Sequence, residues 1–276
     1  MLLTNNLSQE TRPRLMLAAM SLCQRELVRF MRQRSRIIGA FVTPLAFWVM
    51  IGLGVGRSFS GTGLTAGSTG YLEYFFPGTI LMILLFTAIF STISIIEDRK
   101  EGFLQGVLVA PVSRAAVVLG KVLGGTVLAF VQGLIFLLAA PLVGIHLTIV
   151  SLLLAMFIML IISFALTALG FCLAWKMTST QGFHAIMNLF LMPMWFLSGA
   201  MFPPDKSLGG MKWVIQANPL TYGLAGLRRA LYWNNPTLSA ALPSWGTCLT
   251  ITILFAVVTF AIAWFVANGR SRADLE

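Results

Sequence analysis

The 276-residue chain is 58% hydrophobic and only 10% charged, with a mean hydropathy of +0.87. Soluble domains carry about 25% charged residues, so this composition excludes an ordinary soluble domain and indicates an integral membrane protein. The formal net charge of +10 does not predict a nucleic-acid partner, because the basic residues flank apolar runs where they meet anionic lipid. The three scattered cysteines and two distant histidines show no metal-ligand spacing, so neither a metal site nor a catalytic residue is predicted.

The N-terminal segment, residues 1–36, is polar or amphipathic and rich in arginine, and no cleavage site closely follows the first apolar run. Within it, residues 15–36 carry apolar side chains at roughly helical spacing with arginines between them. This pattern predicts an amphipathic helix on the inner leaflet, ahead of a first span that is retained. Lipid anchoring alone and an added role in holding a partner both remain open.

Six apolar runs are long enough to cross a bilayer core of about 30 Å, which takes about 20 helical residues. The runs are continuously apolar rather than alternating, which favours helices over strands. The prediction is an all-α integral membrane fold with a six-span domain at 37–267 and a cytoplasmic tail at 268–276. The predicted spans are 37–55, 74–96, 117–142, 147–175, 182–202 and 247–266.

Most of the 19 Lys and Arg residues fall in segments on one side of these spans. The positive-inside rule then predicts a multi-pass protein of the inner, or cytoplasmic, membrane with both termini in the cytoplasm. Glu97 and Lys121 are expected at span ends with access to water. The spans otherwise contain almost no ionisable side chain, which argues against ion-coupled transport and for an external source of energy.

The segment 97–114 stands out because it carries charges of both signs between two apolar runs. A short helix is predicted there, since four apolar residues fall on one helical face: Phe103, Leu104, Val107 and Leu108. Pro111 is expected to end this helix, and Ser113 to cap the third span. On these residues alone, a solvated loop with an interfacial helix and a docking element both remain open.

The last outer segment, residues 203–245, places four leucines on one helical stripe: Leu220, Leu224, Leu227 and Leu231. Asn218 is a candidate cap with Pro219 at the first helical position. Short helices before the sixth span are therefore predicted, either resting in the outer leaflet or dipping into it. A lid that only seals the outer end is an open alternative to a gate.

The fifth predicted span concentrates methionine and aromatic side chains, which would suit an adaptable apolar substrate. Plain packing is the alternative explanation. The candidate substrate-facing residues are Met187, Phe190, Met194 and Phe196. Pro193 in this span and Pro44 in the first are each expected to bend their helices.

Four stretches in chain order resemble the ABC-2 type transporter permease family. The first is YLEYFFPG at 71–78, and the second is EG at 101–102 followed by APVSR at 110–114 and LGK at 119–121. The third is LSGAMFP at 197–203, and the fourth is NPLTY at 218–222 with Arg228 six residues on. The resemblance covers nearly the whole chain, and the stretches follow one another in the order that the family has.

The resemblance implies the membrane subunit of an ATP-driven exporter of the multidrug or polysaccharide type, served by a separate ABC ATPase that binds ATP and Mg²⁺. The sequence agrees, because it has no Gly-x₄-Gly-Lys-Ser/Thr motif and Gly120-Lys121 is followed by valine. No cofactor and no enzymatic activity are expected of this chain. The residues implied to dock the ATPase through a coupling helix are Arg99, Glu101, Gly102, Phe103, Leu104, Pro111 and Arg114. Those implied for an outer gate are Gly199, Pro203, Asn218, Pro219, Tyr222 and Arg228.

The further partners expected are a second copy of the chain or a related permease, and membrane lipids. The expected substrate is amphipathic: a drug-like molecule, a lipid or a lipid-linked glycan. An ion-coupled carrier would need inverted repeats and broken helices, and no internal repeat is evident. An intramembrane hydrolase would need a nucleophile with a histidine partner at membrane depth, and Ser198-Gly199 has none evident. A passive pore lacks a charged or filter-like ring.

Overall fold

The structure, a computed structural model, describes residues 15–59, 68–110, 112–201, 209–234 and 242–269. These residues form helices and connecting turns and contain no strand, which confirms the all-α prediction. In chain order the helices are α1 (Leu15–Arg32), α2 (Arg34–Phe59), α3 (Ser68–Ser91), α4 (Ile93–Lys100), α5 (Phe103–Val109), α6 (Arg114–Leu137), α7 (Ile149–Lys176), α8 (Thr180–Phe196), α9 (Gly209–Ala217), α10 (Pro219–Leu231) and α11 (Trp245–Asn268). A 3₁₀ turn, Ala140–Val143, follows α6.

Four helical stretches in the described residues are long and apolar enough to cross a membrane: Gly70–Lys100, which joins α3 and α4, and α6, α7 and α11. A fifth is reached if α1 and residues 37–52 of α2, which meet at 82°, are taken as one broken span. The sequence predicted six spans, so four to five are supported and the full six remain a prediction.

The fifth predicted span is shorter as a helix than the sequence suggested. Helix α8 has 17 residues, which at about 1.5 Å per residue falls short of a bilayer core. The helix ends at Phe196, and the chain then turns through Gly199, whose φ is +82°. The helix therefore covers the predicted span only as far as residue 196, and hydropathy alone does not register a turn built from apolar residues.

Helix α3 lies at the centre of the bundle, in contact with α2, α6, α7 and α10. Its middle residues, Ile80 to Leu85, are almost completely inaccessible to solvent. Around it, Phe136 of α6 stacks on Phe76 and meets the edge of Trp48 from α2, with ring centroids 4.9 Å and 5.5 Å apart. Of the four candidate spans, the one that contains α3 is thus the most enclosed, and its ends fix the position of both functional regions described below.

Helix α1 is the predicted amphipathic helix. It ends at Arg32, and a break at Gln33 turns the chain sharply into α2. Its buried face, formed by Ala19, Leu22, Glu26 and Phe30, packs along α6. The opposite face exposes Met16, Leu17, Met20 and Met31. Such a helix has one side suited to protein contact and another suited to lipid, which agrees with the interfacial location that the sequence predicts.

Candidate functional site

Seven charged side chains from three helical segments meet where α1 crosses the ends of α4 and α6. This group, called the inner cluster, consists of Arg25, Glu26, Arg29, Glu97, Asp98, Glu101 and Lys121. It contains three cationic and four anionic groups. The sequence analysis selected only Glu101 of these as a site residue. The side chains on α1 and α6 that complete the cluster lie far from residues 97–101 in the sequence.

The centre of the inner cluster is buried. Lys121 Nζ donates to Glu26 Oε1 at 2.5 Å and to Ser94 Oγ at 3.3 Å, and it also pairs with Asp98. Asp98 is fully buried, and Glu26 and Lys121 are each 5% exposed. The expectation that Lys121 reaches water was therefore wrong. Helix α1 lies over the start of α6 and covers this lysine.

The edge of the cluster is formed by two arginines of α1. Arg25 Nη2 donates to Asp98 Oδ1 at 2.8 Å, and this hydrogen bond raises the pKa of the guanidinium above its ordinary value. Arg29 donates to Glu97 at 2.9 Å and to Glu101 at 3.1 Å. Exposed ion pairs contribute little, whereas breaking a buried network leaves charges uncompensated. The buried part of the cluster therefore fixes α1 against α4 and α6.

The close approach of α1 to α6 depends on a small residue at Gly120. A Cβ placed there would lie 2.7 Å from the backbone oxygen of Ala19 and 2.7 Å from Leu22 Cβ. Both neighbours sit on α1, whose backbone would have to move. Gly120 thus brings the two helices near enough for Lys121 to reach Glu26. In the LGK stretch at 119–121, the glycine permits the close approach of the helices and the lysine forms the ion pair.

The predicted short helix after the charged segment is present as α5. It starts after Gly102, whose φ of +76° suits glycine, and Leu104 is its buried residue. The Arg25 guanidinium carbon lies 3.5 Å from the ring centroid of Phe103, a cation–π contact that joins α1 to α5. At the far end, Val109 is 88% exposed. Pro111 lies outside the described residues.

Two further arginines predicted to dock a partner are engaged within the chain. Arg99 donates to the carbonyl oxygen of Trp175, in the last turn of α7, at 2.5 Å. It also donates to the carbonyl oxygen of Met177, just beyond the end of α7, at 2.9 Å. Arg114 donates to the carbonyl oxygen of Ala267, in the last turn of α11, at 2.7 Å. Both cations complement helix C-terminal ends. These contacts give Arg99 and Arg114 a positioning role, and their contact with a partner stays a prediction.

At the other end of the bundle, Arg228 and Tyr74 converge on the turn after α8. The backbone oxygen of Gly199 accepts from Tyr74 Oη at 3.1 Å and from Arg228 Nη2 at 2.9 Å. The Arg228 guanidinium carbon also lies 4.2 Å from the Tyr74 ring centroid. Arg228 is only 5% exposed. Two helices, α3 and α10, are therefore joined to the segment after α8 at one carbonyl group.

Asn218 occupies the capping position that the sequence predicts. Its Oδ1 accepts from Leu220 N at 3.1 Å, and its Nδ2 donates to the carbonyl oxygen of Met194 at 2.6 Å. Pro219 is the first residue of α10, and Tyr222 Oη donates to the carbonyl oxygen of Gln216 at 3.0 Å. These predicted gate residues fix α10 against α8 and α9. Pro203 lies outside the described residues.

The four residues predicted to face a substrate do not share one surface. Met187 is fully buried in the core, whereas Phe190 and Phe196 are 63% and 42% exposed, and Met194 is half-buried. Met187 and Phe196 are nine residues apart, which places them on opposite sides of an α-helix at about 100° per residue. A substrate-facing role for Phe190, Met194 and Phe196 stays a prediction. For Met187, packing is the role that the structure shows.

A sequence profile for the ABC-2 type transporter matches residues 18–232, from within α1 to the end of α10. The chain belongs to the ABC-2 type transporter family. The matched region contains the inner cluster, α5, and the contacts around Gly199. As a member of this family the chain is a transmembrane transport permease, and the family pairs its permeases with an ABC ATPase subunit.

Curated relatives of this permease are named as ycf38 transport permeases. That of Cyanophora paradoxa is 25% identical over 251 residues, which cover 87% of this chain and 86% of the relative. Those of Porphyra purpurea and Pyropia yezoensis are 26% and 23% identical over 263 residues, with 93% of this chain and 89% of each relative covered. The likeness extends over nearly the full length of both partners in each comparison.

Proposed function

We propose that this permease is the membrane subunit of an ATP-driven exporter and that α5 is its contact with a separate ABC ATPase. One observation carries the proposal: the inner cluster and the Arg25–Phe103 contact hold α1, α4, α5 and α6 together, while Val109 at the end of α5 stays 88% exposed. A rigidly supported helix that ends in an exposed apolar side chain is suited to receive a force from a partner. ATP and Mg²⁺ would be bound by that partner.

The helical stretch Gly70–Lys100 provides a direct connection between the two ends of the permease. Near one end Tyr74 contacts Gly199, and near the other Asp98 lies at the centre of the inner cluster. A displacement of α5 and the inner cluster would act on this stretch and so on the contact at Gly199. Nucleotide would drive the change only through different affinities for the inward and outward states.

The proposed cargo is amphipathic: a drug-like molecule, a lipid or a lipid-linked glycan. The charged residues of the inner cluster are paired among themselves, and the apolar spans favour such a cargo over a small ion. One permease would supply half of the pathway, so a second copy or a related permease would complete it. The arginine-rich α1 supports a cytoplasmic location for the inner cluster and for both termini, in an inner membrane.

Site-specific photocrosslinking tests the proposed contact. A photoreactive amino acid at position 109 should capture an ABC ATPase in membranes of the native host. Ile149 is a matched control, because it is 80% exposed but begins α7 at the opposite end of the bundle. Capture of the ATPase from position 149 but not from position 109 would contradict the proposal.

Transport itself is tested in vesicles that contain the permease with or without the captured ATPase. A fluorescent phospholipid and a cationic amphipathic dye serve as trial cargoes. We expect movement only with both subunits and ATP. Movement by the permease alone under a proton gradient would overturn ATP-driven export and support the ion-coupled alternative.

A further inference from the structure

A cavity of about 320 Å³ lies beside α10, at the end of the permease that holds Gly199. Its polar lining comes from α9, α10 and the segment that follows α8: Ser198, Lys212, Gln216, Thr221, Tyr222 and Arg228. Leu242 and Pro243 line it from the segment before α11. We call it the outer cavity. Its volume is at the lower end of the range for small-molecule sites, about 300–1,000 Å³, so it would hold a headgroup rather than a whole lipid.

The walls of the outer cavity are fixed by hydrogen bonds to backbone carbonyl oxygens. Thr221 Oγ1 donates to Ile215 O at 2.7 Å, which joins α10 to α9. Arg229 donates to the carbonyl oxygens of Leu242 at 2.7 Å and Pro243 at 2.5 Å, which holds the segment before α11. A ligand would therefore meet a largely preformed site.

Arg228 is the buried cation of this cavity. It is 5% exposed and uses Nη2 for the carbonyl oxygen of Gly199, while its Nε is buried and has no hydrogen-bond partner among the described residues. Its contacts are a neutral carbonyl and the Tyr74 ring, and it forms no ion pair with a described carboxylate. A buried guanidinium with an unused donor is unfavourable unless an acceptor pairs with it, and an anion is the acceptor that also neutralises its charge.

A second cation lies at the mouth of the cavity. Lys212 is exposed on α9, and no acidic side chain is found among the described residues that line the cavity. The two positive charges therefore face a common space to which the described lining contributes no carboxylate. The planar donor fork of arginine matches the oxygen geometry of phosphate, and lysine adds a mobile point charge. Ile215, Leu224 and Ala225 add an apolar wall beside them.

We propose that the outer cavity binds a phosphate group, with Arg228 as the buried contact and Lys212 as the contact at the mouth. The phosphate could belong to the headgroup of an anionic lipid or to a free phosphate compound. The apolar wall would accept the glycerol portion of a lipid. This proposal does not rest on ATP-driven export, because it concerns binding by the permease alone.

The test is a titration of the purified full-length permease in a non-ionic detergent, followed by native mass spectrometry. The probes are phosphatidylglycerol, zwitterionic phosphatidylcholine and inorganic phosphate. Lys212→Gln removes an exposed charge and should preserve the fold. Lys176→Gln is the matched control, because it makes the same change at an exposed lysine on the opposite end. Arg228→Lys keeps the charge but removes the guanidinium.

We expect phosphatidylglycerol to bind more tightly than phosphatidylcholine, and Lys212→Gln to weaken its binding about tenfold, as for loss of a charged contact. Arg228→Lys should weaken it as well, and Lys176→Gln should have no effect. Competition by inorganic phosphate would identify the phosphate alone as sufficient, and absence of competition would identify the lipid as the source. Equal affinity of the wild type, Lys212→Gln and Lys176→Gln for phosphatidylglycerol would overturn the proposal. If Arg228→Lys does not fold, the comparison of Lys212→Gln with Lys176→Gln still tests the proposal.

Discussion

Lys121 of α6 donates a hydrogen bond to Glu26 of α1 across 2.5 Å, although each residue is only 5% exposed. The two residues are 95 positions apart in sequence, and Asp98 of α4 completes the group at the same ammonium. Desolvating ions is costly, and a buried pair gives weak evidence for stability in itself. Removing one member is different, because the remaining charges lose their partner without regaining water.

We expect Lys121→Met to destabilise the permease by about 3–5 kcal/mol, because it leaves Glu26 and Asp98 buried with less compensation. The measurement is the free energy of unfolding in detergent by denaturant titration. Lys176→Met is the control, since this lysine is exposed. An equal and small loss in both variants would show that the inner cluster does not hold the three helices together.

Gly120→Ala should separate α1 from α6. The added methyl group would lie 2.7 Å from the Ala19 backbone oxygen, so the helix itself must move. We expect faster hydrogen exchange in the peptide that covers α1. Gly106→Ala in α5 is the matched control, since a Cβ there meets nothing within 4 Å. At that site alanine should be neutral or should stabilise by up to about 1 kcal/mol. Similar exchange of α1 in both variants would contradict the role assigned to Gly120.

Local features of the fold could be predicted from the sequence because they depend on neighbouring residues. Ser113 accepts from Ala116 N at 3.2 Å, and Asn218 caps α10 ahead of Pro219, as their positions suggested. The α5 helix also followed from the spacing of its apolar residues. The leucine stripe of α10, Leu220 to Leu231, is buried as its spacing indicated.

The inner cluster could not be predicted in the same way. Which cation meets Asp98 depends on how α1 crosses α6, and that crossing needs the space above Gly120, which the pattern of charges does not indicate. Arg228 was selected by resemblance, but its unpaired Nε and the cavity beside it emerge only when α9, α10 and the segment before α11 are packed together. Hydropathy likewise indicated the apolar helix α8 but not its end at Phe196, because the turn that follows is also built from apolar residues.

The contact between Arg25 and Phe103 should contribute about 0.5–2 kcal/mol to holding α5 against α1, because the guanidinium carbon lies 3.5 Å from the ring centroid. A double-mutant cycle with Arg25→Gln and Phe103→Leu measures this coupling from unfolding free energies. The same variants should lower crosslinking from position 109 to the ATPase. Additive effects of the two substitutions would mean that the ring and the guanidinium do not interact, and that apolar contacts such as that of Leu104 hold α5.

Gly199→Ala should loosen the outer end of the permease. Gly199 has a φ of +82°, a conformation that costs other residues about 1–2 kcal/mol, and its carbonyl oxygen accepts from both Tyr74 and Arg228. If this turn closes the pathway, vesicles with the variant should leak a trapped amphipathic dye without ATP. Gly54→Ala in α2 is the control, because its backbone is helical and a Cβ there meets nothing within 4 Å. Tyr74→Phe removes one of the two donors while keeping the ring beneath Arg228, and should produce a smaller leak. Full retention of dye by Gly199→Ala, together with an unchanged unfolding free energy, would show that the contacts at Gly199 serve packing and do not form a gate.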